Sequence, residues 1–372
     1  MEYSQGGTGS ICRIGFFDPD ILPAAEAKPK GTKMEDSFMK KNWFASVLVL
    51  CLTAWLGMSL YGCGDKDEDT EASVWRQPMA VATGGTGGVY YPYGGTMADI
   101  IAGQVEGMRA AAEVTGASVE NVRLVHRHDA EIGLVMGDVA YQAYHGEGDF
   151  EGDPQDLQVM FQMYPNVYHV VTLERDNLTS LSDLKGERVS VGAPGSGTEY
   201  KTRLVFGSLG LYDELRIERL SFSENTDALR DRNIRAGVWS VGAPTSSIMD
   251  LTATHDIRIL PFSEEEVKAV IDANPFYSEF IIEAGTYDGQ EEDVRSLQVG
   301  NTAIVHKDAT EEEVYKVVKA IFENRQRLVN VHHLAEWTTP EYTVDTAPVP
   351  LHPGTIRYFE EIGMDVPDRL RP

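Results

Sequence analysis

The stretch Ala82-Thr83-Gly84-Gly85-Thr86-Gly87-Gly88-Val89-Tyr90-Tyr91 puts four glycines into five positions, directly after the apolar run Met79-Ala80-Val81-Ala82. Glycine lets a backbone turn sharply and approach a ligand closely. A helix is predicted over residues 90–102, so the loop opens onto unpaired N–H groups at a helix start, where the dipole favours an anion. A second loop, Val191-Gly192-Ala193-Pro194-Gly195-Ser196-Gly197-Thr198-Glu199, lies between a predicted strand at 188–191 and a predicted helix at 198–209. Two anion-friendly loops predict two walls of one binding cleft.

Around these loops, short apolar strands alternate with helices. Strands are predicted at 79–82, 108–114, 132–135, 168–173, 188–191, 217–220, 236–239 and 257–260, with helices at 119–126, 137–144, 225–232 and 245–254 besides those after the loops. Such alternation implies right-handed crossovers and parallel sheets covered on both faces. The pattern runs twice, over about 79–145 and 188–254, without an accompanying sequence repeat. A chain that leaves the first unit near Leu173 and returns near Ile282 joins the two by a pair of hinge strands. The expectation is an α/β Venus-flytrap fold with a parallel-rich sheet in each lobe, lobe I being 76–172 plus 284–372 and lobe II 173–283. A helix over 311–330 opens on Thr310 and Glu311-Glu312-Glu313, and Val314, Val317, Val318, Ile321 and Phe322 form its buried stripe. A last helix is expected at 353–362.

The N-terminal part reads as targeting. Lys40-Lys41 precede an apolar run at 43–60 that ends in Leu60-Tyr61-Gly62-Cys63, a pattern that resembles a bacterial lipoprotein signal peptide over 39–62. In that pattern Cys63 is lipidated and becomes the mature N-terminus, followed by an acidic tether to residue 75; an uncleaved membrane anchor over the 18-residue run 43–60 is the alternative. Met39 is the expected start of translation, which leaves residues 1–38 as a mis-assigned extension. Of the three cysteines, Cys12, Cys51 and Cys63, only the last survives processing, so no internal disulfide forms. A formal net charge of −26 argues against nucleic acid and against electrostatic attachment to anionic lipid.

Several chemistries are excluded by what is missing. Gly192 to Gly197 imitate the opening of a P-loop, but Thr198 stands where the lysine belongs and Glu199 where Ser or Thr belongs. Gly85 to Tyr90 lack the last glycine of a dinucleotide fingerprint. His126 with His128, and His332 with His333, diverge in direction and have no third ligand at useful spacing, and His352 reads as structural, so no metal and no cofactor is expected. No nucleophile elbow is present, so no catalytic residue is assigned; a periplasmic hydrolase or transferase using the same cleft is the alternative reading. Among the aromatics, Tyr90 and Trp239 are the cleft candidates, Tyr90 beside the first loop and Trp239 at a strand end.

The two glycine loops, with Ala284-Gly285-Thr286-Tyr287 and Pro350-Leu351-His352-Pro353-Gly354, resemble the TAXI family of TRAP-transporter solute-binding proteins over residues 79–363. The resemblance implies a type II-like periplasmic-binding-protein fold. It further implies a lipid-anchored receptor that passes a small organic anion to TRAP membrane permease subunits. Glutamate, glutamine or a 2-oxo dicarboxylate is the implied ligand. Backbone donors at Gly84, Gly85, Gly87, Gly195 and Gly197 would hold the carboxylate, helped by Thr83, Thr86, Ser196, Thr198 and Glu199, with Tyr90 and Trp239 at the sides. Two family motifs add Gly137 and Asp138, in Leu134-Val135-Met136-Gly137-Asp138, and Gly242 and Pro244, in Trp239-Ser240-Val241-Gly242-Ala243-Pro244. Both motifs are less polar or more aromatic here than is usual in that family, which points to a different anion.

Overall fold

A computed structural model describes residues 75–372; the proposed extension, signal peptide and lipidation site at Cys63 lie outside the described residues. Trp75, which the sequence places at the end of the tether, is instead 7% exposed within the hydrophobic core, and its N–H donates to the Glu313 carboxylate at 3.4 Å.

Strand β1 (Met79–Ala82) is followed by α1 (Tyr90–Gln104), β2 (Ala110–Glu113), α2 (Ser118–His126), β3 (Ile132–Met136) and α3 (Gly137–His145). Both β2 and β3 pair with β1 in parallel. The long strand β4 (Leu157–Leu173) then leads into β5 (Arg188–Ser190), α4 (Gly197–Ser208), β6 (Arg216–Glu218), α5 (Phe222–Arg230), β7 (Ala236–Val241) and α6 (Ser246–Thr252). Here β6 and β7 pair with β5 in parallel, so each lobe has a parallel-rich sheet. β8 (Ile257–Ile259), α7 (Glu264–Ala273) and β9 (Ser278–Ile282) precede a second long strand, β10 (Val294–His306). The chain ends in α8 (Glu311–Glu323), α9 (Arg325–Val331), α10 (Pro340–Thr346) and α11 (Pro353–Glu361).

The strand order β2-β1-β3-β10-β4-β7-β5-β6 makes one sheet that runs through both lobes, with β4 and β10 as its shared central pair. β4 changes partner at Val167, from β10 to β7, and β10 pairs with β9 up to Gln298 and with β3 from Asn301. The crossings therefore lie inside the two long strands, not at 172/173 and 283/284. Every residue of β4 is buried, including Gln158, Gln162 and Asn166, so it shows no apolar–polar alternation.

Pairing between β4 and β10 is irregular near the middle. Pro165 lies opposite Gly300 and has no N–H to give to a ladder, and the register shifts between Gly300 and Thr302. Side chains take over there: Asn301 Nδ2 donates to the Tyr164 carbonyl at 3.1 Å, and Asn166 Nδ2 donates to Asn301 Oδ1 at 3.1 Å.

The helix expected over 311–330 is two helices. Asn324 separates them, with its side-chain amide donating to the Ala320 carbonyl at 2.8 Å, the local competition that makes Asn a poor interior helix residue. The predicted stripe Val314, Val317, Val318 and Ile321 is fully buried, with Phe322 packed against it.

Candidate functional site

A cavity open to solvent lies between the lobes. Its wall contains the starts of four helices: Val89 and Tyr90 of α1, Ala117 and Ser118 of α2, Ser196 and Gly197 of α4, and Ser221 and Phe222 of α5. Each helix start carries roughly half a positive charge. None of the lining residues is Lys, Arg, His, Asp or Glu, so these backbone ends dominate the local field. Met136, Tyr164, Asn166, Ser240, Val241 and Gly242 complete the floor.

The lobes meet around this cavity. Thr245 Oγ1 and Ser246 Oγ donate to the Gly87 carbonyl at 3.1 and 3.3 Å, and the Glu120 N–H donates to the Gly195 carbonyl at 3.4 Å. Gly197 sits against Ser118 and Met136 so closely that a Cβ there would lie 2.6 Å from Ser118 Oγ and 3.0 Å from Met136 Sδ. His332 Nε2 bonds the Pro244 carbonyl at 3.0 Å, and burial holds that imidazole below its ordinary pKa.

A family model described as the NMT1-like family matches residues 81–363. The chain belongs to the NMT1-like family. Its two lobes share the central strands β4 and β10 and enclose the cavity between them. Similar solved structures include the periplasmic aliphatic sulphonate binding protein SsuA from Escherichia coli, at 10% identity over 71% of this chain and 76% of that one, TM-score 0.40. The alkanesulfonate-binding protein SsuA from Xanthomonas axonopodis pv. citri, bound to MOPS, is 12% identical over 80% and 96%, TM-score 0.43. A binding protein component of an ABC phosphonate transporter from Pseudomonas aeruginosa is 13% identical over 71% and 81%, TM-score 0.45. No helix among the described residues is long and apolar enough to cross a membrane.

In this NMT1-like chain the predicted site residues separate into two groups. Gly84, Gly85, Tyr90, Ser196, Gly197, Thr198 and Gly242 line the cavity. The others do not. Thr83 is fully buried with its hydroxyl donating to the Glu113 carbonyl at 2.6 Å, tying β1 to β2. Thr86 and Gly87 border a separate hollow beside Ser246 and Asp250. Gly195 and Glu199 are bonded to each other, the glycine N–H donating to Oε2 at 2.9 Å, while Arg219 pairs with Oε1. Trp239 is buried behind Phe222, stacked on it at 6.2 Å, with Nε1 donating to Ser247 Oγ at 3.0 Å. Gly137 abuts the Gly300 carbonyl, and Pro244 meets His332.

Asp138 is the largest departure. It is fully buried away from the cavity, accepting from the Tyr277 hydroxyl at 2.7 Å and from the Val139 N–H at 2.9 Å. Beside it lies Lys201, 0% exposed, whose ammonium faces the rings of Tyr277 and Tyr168 at 4.9 and 5.4 Å. Burial pushes the lysine pKa down to about 7, with Asp138 pulling partly back, and burial raises that of Asp138. The two charges lie on α3 and α4 and act on each other electrostatically, with no hydrogen bond between them.

Four features of the wall were missed by sequence reasoning: Thr115 to Ser118, Tyr164 with Asn166, Ser240, and Ser221 with Phe222. For the last, a signal existed. Ser221 and Glu224 form a capping box, each bonded to the other's backbone, which starts α5 three residues before the predicted Asn225 and sets Phe222 at the cleft.

Proposed function

We propose that this protein is the extracytoplasmic solute receptor of a TRAP-type secondary transporter, capturing a small organic carboxylate between its lobes and presenting the closed form to a membrane permease. The observation that carries the reading is the convergence of four helix starts on a cavity with no charged side chain. Such a site attracts an anion without a fixed cation. A ligand that touches both lobes binds the closed arrangement better than an open one, and that difference drives closure. No His, Cys, Lys or carboxylate lines the cavity to act as base or nucleophile, which supports binding without turnover. The resemblance in the glycine loops supports the TRAP partnership and points to glutamate, glutamine or a 2-oxo dicarboxylate as the first ligands to try. Lipid attachment through Cys63 belongs to the same reading: Cys63→Ser should move the protein from the membrane fraction to the soluble one.

Calorimetry across amino acids and carboxylic acids tests the receptor, with the ligand recovered afterwards for analysis. Saturable binding with unchanged ligand is the expected result. Chemical conversion of the ligand would replace the receptor by the enzyme reading.

A further inference from the structure

Two of the four helix starts are already capped by side chains and two are not. Ser196 Oγ accepts the Glu199 N–H and Ser221 Oγ accepts the Glu224 N–H, so both lobe II helices cap themselves. No side chain caps α1 at Val89 or α2 at Ala117. Both uncapped starts flank Gly84: a Cβ there would lie 3.2 Å from Ala117 Cβ and 3.8 Å from Tyr90 Cβ. At α2 the Ala117 N–H already donates to Thr115 Oγ1 at 3.0 Å and the Glu120 N–H to the Gly195 carbonyl, which leaves Ser118 and Val119, with Val89 and Tyr90 of α1, as the backbone donors open to a carboxylate.

No carboxylate lines the cavity to pair with an ammonium. Asp138 is held by Tyr277 and Val139, Glu199 by Gly195 and Arg219, and Glu120 by the Gly116 N–H at 2.5 Å. Asn301 Oδ1 accepts from Tyr90 at 2.6 Å and from Asn166, and Asn166 Oδ1 accepts from Ser240. The aromatic faces of Tyr90 and Phe222 belong to the first residues of helices, whose positive ends repel a cation.

A buried side-chain donor in the wall is unused. Tyr164 lines the cavity, is 0% exposed, and its hydroxyl has no hydrogen-bond partner in the protein. Buried hydroxyls are almost always bonded, so this one points to an acceptor supplied from outside. Burial raises its pKa, so it stays protonated and able to donate. Val89, Met136, Phe222 and Val241 provide the apolar surface beside it.

We infer that the cavity selects a monocarboxylate without an ammonium group, a 2-oxo or unsubstituted acid with a short apolar chain, whose head accepts the Tyr164 hydroxyl. The inference rests on the receptor reading above, keeps its small organic carboxylate, and sets aside the amino acids and dicarboxylates that the loop resemblance suggests. A zwitterion would bring a cation to a site built from positive helix ends, and a second carboxylate would meet the apolar wall.

Calorimetry on the purified protein with matched compounds tests it: 2-oxoisovalerate against valine, which differ only in oxo for ammonium, and 2-oxoisovalerate against 2-oxoglutarate. The oxo acid should bind about 100-fold more tightly than valine, the scale on which an apolar pocket rejects an added polar group. Tyr164→Phe, with its melting temperature checked, should weaken oxo-acid binding about tenfold, as loss of a hydrogen bond to a charged group does. Equal or tighter binding of valine overturns the ammonium exclusion, and tighter binding of 2-oxoglutarate overturns the single charge. Unchanged affinity in Tyr164→Phe overturns the role of that hydroxyl. Failure of every carboxylate to bind overturns the receptor reading itself, an outcome distinct from the other three.

Discussion

The two glycine loops share a sequence style and a strand–loop–helix setting, yet their backbones are engaged differently. In the second loop, Glu199 takes the Gly195 N–H, Ser196 takes the Glu199 N–H, and Arg219 holds the Glu199 carboxylate. That loop satisfies itself. The first loop leads into α1 without any side-chain cap, and it lies against the equally uncapped α2. Ser and Glu after a glycine run thus mark a loop that caps its own helix, whereas apolar Val89 leaves donors for something else. On this reading the first loop grips and the second closes, with Gly197 as the contact surface.

The strongest attempt to break this division is Gly197→Val. Its added carbons would enter space held by Ser118 and Met136 on the other lobe. Ligand affinity should fall about 100-fold or more, while the melting temperature stays near wild type and small-angle scattering shows an open form. Retained affinity with a closed form would remove the closing role from the second loop.

Lys201 tests whether the second loop's helix is supported from behind. Its pKa is lowered in the folded protein to about 7 from 10.5, so between these values the unfolded chain binds more protons and stability rises with pH. Urea unfolding at pH 7 and pH 9 should show the protein more stable at pH 9. Lys201→Met should flatten that rise, and an identical rise in the variant would assign it to other groups.

Gly84→Val examines the first loop. Side-chain carbons there would press on Ala117 and separate the two uncapped helix starts. Titration should show about a tenfold loss of affinity, the scale of one misplaced charged hydrogen bond. Ser196→Ala should have the smallest effect on binding, below about threefold, because the hydroxyl already caps α4; its effect is a loss of about 1 kcal/mol in stability, measured by denaturant titration. A large affinity loss there would restore the second loop as a ligand-holding jaw.

Much of the fold was legible because its strands are short and its helices amphipathic. The loops, α1 to α6 and the parallel pairs follow from periodicity and from glycine placement. Two hinge strands were expected, but their full extent was not legible. β4 is buried on every side and carries Pro165, and β10 mixes Arg295, Gln298 and Asn301 with apolar residues, so neither shows a strand period. At the site, glycines told where the backbone comes close, and Gly84, Gly85 and Gly197 reached the cavity wall. Side-chain roles depended on long-range partners. Asp138 was drawn to Tyr277, 139 positions away, and Trp239 to the back of Phe222, neither of which any local pattern reports.

The broken ladder at Pro165 gives the molecule a soft point at a defined place. Where two strands are joined by amide side chains instead of continuous backbone pairing, bending and twisting meet less resistance than on either side. The residues that replace the ladder, Asn301 and Asn166, also hold Tyr90 and Ser240 of the cavity wall. On the receptor reading proposed above, compliance and ligand contact would share the same few atoms, so that a displacement at the bound molecule would act directly on the pivot between the lobes.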